Sequence, residues 1–137
     1  MAQAHSPYPP SYYAASRSVA PERPPLEGVQ RTEVCVVGAG FSGLATALSL
    51  VEKGHRVTVL EAEQVGFGAS GRNGGQLVNS YSRDIDEITR RYGEAAGQAL
   101  GRMAFEGGDI IRDWVHRYDI ACDLRQGGVF AAFSERQ

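Results

Sequence analysis

Apolar and polar positions along the chain change their period several times, and each change marks an element. Val34-Cys35-Val36-Val37 is a largely β-branched run ended by Gly38, which predicts a buried strand of a parallel sheet with Cys35 as a small buried apolar residue. Leu44, Ala47, Leu48 and Val51 then recur at i, i+3, i+4 and i+7, the spacing of one helical face. Gly54 is placed to stop that helix as its C′ residue. Arg56-Val57-Thr58-Val59-Leu60 reads as a second strand, closed by Glu61. Strand, glycine turn, helix and strand in about 30 residues make a βαβ unit with a right-handed crossover.

Residues 62–81 carry no strong period. Asp84 with Glu87 three residues on has the form of a capping box. Ile85, Ile88 and Tyr92 give the following helix its apolar face, and Gly93 ends it. A longer helix is predicted over about 94–118, with Leu100, Met103, Ile110, Trp114 and Val115 inward. Gly107-Gly108 costs it about 1 kcal/mol per glycine relative to Ala, which predicts a kink or break. Ile120, Cys122 and Leu124 alternate, as do Val129, Ala131 and Phe133, and Gln126-Gly127-Gly128 between them predicts a hairpin. Ser134-Glu135-Arg136-Gln137 has the form of a helix-opening box at the point where the chain stops. Together with a sheet left short of strands, this leads to the expectation of a piece of a longer protein. Exposed sheet edges also predict a marginal, association-prone chain.

All six prolines lie in the first 25 residues, with Tyr8, Tyr12 and Tyr13 among them. Residues 1–30 are therefore expected to be an irregular N-terminal arm. Ser11-Tyr12-Tyr13-Ala14-Ala15 is able to form one helical turn packed on the body; a disordered tail is the alternative.

Composition narrows the function classes. The chain is 42% hydrophobic and 22% charged with a formal charge of -2, which fits a soluble globular chain and gives no support to nucleic-acid or anionic-membrane binding. No apolar run reaches the 18 residues of a membrane span. The N-terminus has no signal-peptide pattern, the two cysteines form no CxxC pair and the three histidines are far apart, so a reduced, cytoplasmic, metal-free protein is expected. Glycine is the outlier, 17 of 137 residues against a usual ~7%.

Three of those glycines form Gly38-Ala39-Gly40-Phe41-Ser42-Gly43, a G-x-G-x-x-G run between the first strand and the helix. Gly38 permits the tight turn, Gly40 lets backbone approach a pyrophosphate, and Gly43 lets helix and strand pack closely. The helix N-terminus supplies unpaired N–H groups and partial positive charge for phosphate. Glu61, 18 residues past Gly43, is placed to accept hydrogen bonds from an adenosine ribose, and its charge disfavours the 2′-phosphate of NADP. A structural turn with a solvated glutamate is the plain alternative. The fingerprint alone fits either NAD or FAD, and an NAD-binding regulatory module stays open on it. Residues 66–76 favour FAD. Gly66-Phe67-Gly68-Ala69-Ser70-Gly71-Arg72-Asn73-Gly74-Gly75-Gln76 holds five glycines, able to present backbone N–H groups to an extended anion or ring edge. Arg72 adds fixed charge, and Asn73 and Gln76 add amide donors and acceptors. A mobile surface loop is the alternative.

The strand-and-fingerprint run V-x-V-V-G-x-G-x-x-G-L-x-x-A, with V-x-V-L-E-A closing the second strand, resembles the start of the D-amino-acid-oxidase-like (DAO) flavoproteins. G-F-G-A-S-G-R-N-G-G-Q-L-V-N-S-Y at 66–81, S-Y-Y-A-A at 11–15 and C-D-L-R-Q-G-G-V-F at 122–130 are similar to the bacterial gamma-glutamylputrescine oxidases of that family. The resemblance runs from Ser11 to Gln137 and matches only the N-terminal part of such enzymes.

That resemblance implies an α/β fold: a Rossmann-like FAD-binding βαβ unit with additional helices, a terminal hairpin and an incomplete sheet. It makes residues 31–137 the N-terminal part of an FAD-binding domain whose substrate domain is missing. It implies an FAD-dependent amine oxidoreductase of putrescine catabolism, taking a hydride equivalent from an amine C–H and passing electrons to oxygen as hydrogen peroxide. The partner is a small amine, gamma-glutamylputrescine or a relative. Implied cofactor contacts are Gly38, Gly40, Phe41, Ser42 and Gly43 at the pyrophosphate, Glu61 at the ribose, and Gly68, Ala69, Ser70, Arg72, Asn73, Gly74, Gly75 and Gln76 along the pyrophosphate and isoalloxazine. Arg72 is further assigned the negative charge that develops on the reduced ring. No catalytic residue is named, and Tyr81 facing a substrate is weighed against ordinary packing. A sibling oxidase or dehydrogenase for glycine, sarcosine or a D-amino acid, and an inactive fragment that binds FAD weakly, are the competing readings.

Overall fold

The computed structural model describes residues 8–128 apart from positions 20 and 22. These fall into two compact units, Met1–Gln76 and Leu77–Gln137. The first holds α1 (Tyr12–Ser16), β1 (Val34–Val37), α2 (Phe41–Glu52), β2 (Val57–Leu60) and a 3-10 turn at Ala69–Gly71; the second holds α3 (Ile85–Tyr92) and α4 (Glu94–Arg117).

In the first unit β1 and β2 pair in parallel, with Val34 opposite Val57 and Val37 opposite Leu60. The two strands form a two-stranded sheet, and α2 packs on both. The ladder is sealed at its start by Glu33, whose carboxylate accepts from the Arg56 N–H at 3.1 Å and the Arg56 Nε at 3.4 Å, with the His55 Nδ1 3.5 Å away. The backbone bond from Arg56, first among these, holds the Glu33 carboxyl below its usual range. At this same end α2 closes as the sequence predicts. Gly54, with φ +87, donates to Val51 O and His55 to Leu50 O, the double bond of a Schellman cap.

Cys35 is not buried, against the expectation for it. Burial alternates along β1, with Val34 and Val36 half-buried and Cys35 and Val37 exposed. A continuous apolar run implies a strand covered on both faces, whereas among the described residues one face of this sheet is covered. α1 realises the helical turn foreseen in the arm, and Ser11 caps it by accepting from the Ala14 N–H at 3.2 Å.

In the second unit α3 and α4 pack as neighbours around a close approach. Gly97 is buried, and a Cβ on it would lie 1.9 Å from Thr89 Oγ1. Three expectations are corrected in this unit. Asp84 sits at the N-cap of α3 but makes no side-chain cap bond, so the predicted box is not formed. α4 runs unbroken through Gly107 and Gly108. A Cβ at Gly108 would meet Asn79 Oδ1 at 3.0 Å and Arg112 Nη1 at 3.4 Å, so this bare stretch of helix is where Asn79 packs. Leu100, Trp114 and Val115 are half-buried, but Met103 and Ile110 are exposed, because α3 covers a narrower stripe of α4 than the sequence period implies.

The first strand of the expected hairpin is also absent. Residues 120–124 carry no strand; Asp119 just before them and Asp123 within them, at φ 48 and 50, adopt left-handed backbone that breaks extension. The second strand and the terminal Ser134–Gln137 box lie outside the described residues.

Burial is thin throughout. Among the described residues Ala39 and Ala47 are the buried hydrophobics, while large side chains such as Val37 (84% exposed), Val78 (69%) and Phe105 (62%) face solvent. Exposed apolar surface of this kind drives association. Sedimentation of the 137-residue chain is expected to show weight-average mass rising with concentration. A strict monomer melting cooperatively above the ~45–65 °C of mesophile domains would contradict this.

Candidate functional site

The site is the glycine turn between β1 and α2, and three constraints fix it. Gly38 leaves the sheet with φ +100, its N–H still bonded to Leu60 O at 2.7 Å. Ala39, 1% exposed, has both backbone groups engaged: its N–H donates to Glu61 Oε2 at 2.7 Å, and its carbonyl accepts from the Gly66 N–H at 3.0 Å. Gly43 packs against the turn from inside α2, where an added Cβ would lie 1.9 Å from Gly38 O and 3.4 Å from Val36 Cγ1. Strand end, turn and helix start are thus one close-packed unit.

This leaves the N-terminus of α2 with free donors. Gly40 is the N-cap and offers no side-chain bond. The first intrahelical bond runs from Leu44 N–H to Gly40 O at 2.9 Å, so the N–H groups of Phe41, Ser42 and Gly43 have no helical acceptor. Phe41 N–H donates to Ser70 Oγ at 3.0 Å; those of Ser42 and Gly43 meet no acceptor among the described residues. A Cβ on Gly40 would stand 2.8 Å from the same Ser70 Oγ. A row of amide donors at the positive end of a helix is able to receive an anion, and the missing Cβ of Gly40 lets Ser70 come up beside it.

Glu61 stands beside this patch at the end of β2. Its carboxylate accepts from Ala39 and, at 3.1 Å, from the Glu63 N–H. The bond from Ala39, then that from Glu63, holds its carboxyl below the usual 4.5, so it is charged at neutral pH. The residue is exposed, and a carboxylate has about four acceptor positions, so capacity remains for hydroxyl donors from outside.

The 66–76 loop completes the site. Its 3-10 turn is closed by Gly71 and Arg72 donating to Gly68 O and Ala69 O, and it is tight because a Cβ on Gly71 would lie 2.2 Å from Gly66 O. Arg72 Nε donates to Phe67 O at 3.0 Å, with its guanidinium 5.0 Å from the Phe67 ring centre. Asn73 Nδ2 donates to Ala69 O and Ser70 O, while its Oδ1 accepts from Gly75 N–H.

Of the residues singled out in the sequence, Gly38, Gly40, Phe41, Ser42, Gly43, Glu61 and Ser70 gather directly around the glycine turn. Gly68, Ala69 and Arg72 belong to the tight turn that carries Ser70. Asn73 spends its amide on holding that loop, and Gly74, Gly75 and Gln76 are exposed at its end. Gly66 and Gly71 were not singled out as contacts, yet one ties the loop to Ala39 and the other lets it turn. The density of glycine over 66–76 was their signal. Tyr81 is placed by packing: its hydroxyl donates to Leu100 O at 2.9 Å. No helix among the described residues is long and apolar enough to cross a membrane.

Comparison with known proteins gives the chain a family. The family described as FAD dependent oxidoreductase (DAO) matches residues 33–137. The chain is 55% identical over 127 residues to the gamma-glutamylputrescine oxidoreductase of Escherichia coli K12, covering 93% of this chain and 30% of that protein. It is 46% identical, with the same coverage, to a Haemophilus influenzae protein named "Probable oxidoreductase OrdL". A 49-residue stretch is 53% identical to the D-amino acid dehydrogenase 2 of Pseudomonas aeruginosa, covering 35% of this chain and 12% of that protein. The chain thus spans about 30% of the length of the first two relatives. No solved structure matches it.

Proposed function

Because the chain belongs to the DAO family of FAD dependent oxidoreductases, we propose that residues 33–76 are the FAD cradle of an amine oxidoreductase acting on gamma-glutamylputrescine or a related small amine. The observation that carries the reading is the row of amide donors at the start of α2, with Glu61 beside it. Within it, β1, α2 and β2 open a Rossmann-like domain that residues 31–137 only begin, and 1–30 are an arm in front of it. The Ser42 and Gly43 N–H groups, with Phe41 beside Ser70, would hold the pyrophosphate. Glu61 would take the adenosine ribose hydroxyls on its remaining lone pairs. Gly68, Ala69, Arg72, Asn73, Gly74, Gly75 and Gln76 would follow the cofactor toward its ring, with Arg72 countering negative charge there. FAD held by these residues would supply the acceptor for a hydride equivalent from an amine C–H, with oxygen as the terminal acceptor giving hydrogen peroxide. The substrate class rests on the 55% identity to the E. coli enzyme. A cytoplasmic location, which suits the free thiols of Cys35 and Cys122, is part of the same reading.

The test is titration of the purified chain with FAD, following the visible flavin spectrum and flavin fluorescence, with NAD and NADP alongside. FAD is expected to co-elute with the protein and to be displaced by ADP but not by NADP. Equal uptake of NAD, or no uptake of any dinucleotide by soluble, folded chain, would overturn the proposal.

A further inference from the structure

The proposed cradle uses the 66–72 loop, and that loop is held from a part of the chain the cradle does not include. Arg17 stacks its guanidinium 4.5 Å from the centre of the Tyr8 ring. The Tyr8 ring lies 5.6 Å from that of Phe67, tilted by 59°. Arg72 covers Phe67 in turn at 5.0 Å. Four side chains therefore form one column, aromatic in the middle and cationic at both ends, an arrangement in which each ring attracts the charge it meets. Two hydrogen bonds fasten its upper half: Tyr8 Oη donates to Val65 O, and Arg17 Nη1 donates to Gln64 Oε1 at 3.1 Å.

The column grips the loop where it matters to the cradle. Val65 and Phe67 flank Gly66, whose N–H bonds the buried Ala39 of the glycine turn. Ser70, three residues past Phe67, receives the Phe41 N–H at the phosphate end of α2. α1 holds the arm in shape between its two contacts, with Ser11 capping it and Ser16 Oγ bonded back to Tyr12 O at 2.8 Å. We propose that the N-terminal arm is a strap that pre-sets the cofactor loop, with Tyr8 and Arg17 as positioning residues that act on Ser70 and Arg72 through Phe67. The inference rests on the FAD reading for its consequence and on the contacts alone for its cause. Pre-setting a loop raises affinity by removing the ordering cost from the binding step.

The experiment compares the full 137-residue chain with its Tyr8→Ala, Tyr8→Phe and Arg17→Ala variants by hydrogen exchange without FAD and by fluorescence titration with FAD. Tyr12→Ala is the control, because Tyr12 lies in the same arm, is 78% exposed and, among the described residues, has its ring against that of Tyr13 rather than in the column. Tyr8→Ala is expected to speed exchange of the 66–72 amides and to weaken FAD binding about tenfold each. Tyr8→Phe keeps the stack and loses the hydroxyl, and it should fall between the two. Exchange of the β1 and β2 amides, unchanged in all variants, shows that the fold is intact. Loop exchange that stays at the wild-type rate overturns the strap. Faster loop exchange with FAD affinity unchanged overturns its role in positioning. Faster loop exchange in a chain whose wild-type form takes no FAD sustains the strap and overturns the FAD reading instead.

Discussion

Replacing Gly43 with alanine is expected to lower FAD affinity about 100-fold and to destabilise the first unit by about 2–3 kcal/mol, the upper part of the ~1–3 kcal/mol range for overpacking. The added Cβ would stand 1.9 Å from Gly38 O, and neither partner can yield alone. Gly38 is held to the sheet through Leu60 O, and Gly43 is within the first turn of α2. Relief requires α2 to slide outward or the turn to open, and either moves the Ser42 and Gly43 donors off the phosphate position. A 100-fold loss corresponds to about 2.7 kcal/mol, a plausible sum for two displaced amide donors to a charged group. Gly107→Ala is the matched control. Nothing lies within 4 Å of a Cβ at Gly107, which is inside α4, and alanine there is expected to stabilise by up to about 1 kcal/mol. Urea unfolding followed by far-UV circular dichroism, with flavin fluorescence for affinity, separates the two. Equal behaviour of both variants would refute the packing argument.

The same contact explains what was legible in the sequence. G-x-G-x-x-G is readable because each glycine answers a local steric demand that no other residue meets, and the β-branched run before it and the i, i+3, i+4 period after it fix which element lies on which side. The β1 boundaries and the Gly54 cap are short-range properties and were therefore visible, whereas the α2 face was only half right: Ala47 is buried and Leu48 half-buried, but Leu44 and Val51 are exposed. Glu61 was visible as a position but not as a contact. Its bond to Ala39 N–H depends on β2 lying beside β1, which only the parallel register brings about. Features that depend on what covers a surface were not visible. Cys35 reads as buried by its neighbours and is exposed because one face of the sheet is open. The Gly107-Gly108 pair reads as a break by propensity, yet α4 passes through it where Asn79 packs against Gly108. Left-handed Asp119 and Asp123 end an alternation that reads as a strand. The strap shows the limit most plainly: proline-rich composition describes residues 1–30 well, and nothing in it pairs Tyr8 with Phe67, more than fifty residues away.

Glu61 carries the second large effect. Glu61→Ala is expected to lower FAD affinity about 10- to 100-fold, the worth of one or two hydrogen bonds to a charged acceptor, and Glu61→Gln, which keeps one acceptor oxygen and loses the charge, should lie between. The loss has two sources that pH can separate. The carboxylate holds the Ala39 and Glu63 N–H groups, and these bonds place its folded pKa below the usual 4.5. A depressed carboxyl pKa means that the unfolded chain binds the proton first as pH falls. The stabilising contribution is thus complete above about 4.5, and it disappears as pH drops through the lower folded value. Wild-type stability and FAD affinity are both expected to decline together below pH ~4.5, while Glu61→Ala loses this component of the pH dependence and Glu61→Gln follows it. Stability measured from neutral pH down to pH ~3 by urea unfolding, with FAD titration at each step, gives the comparison. If the wild type and Glu61→Ala decline in parallel, other carboxylates carry the acid sensitivity, and the Ala39 N–H is held well enough without the charge. If they diverge below 4.5, the glutamate closing β2 fixes the glycine turn before any cofactor arrives, and the proposed ribose acceptor is a side chain already ordered by that turn.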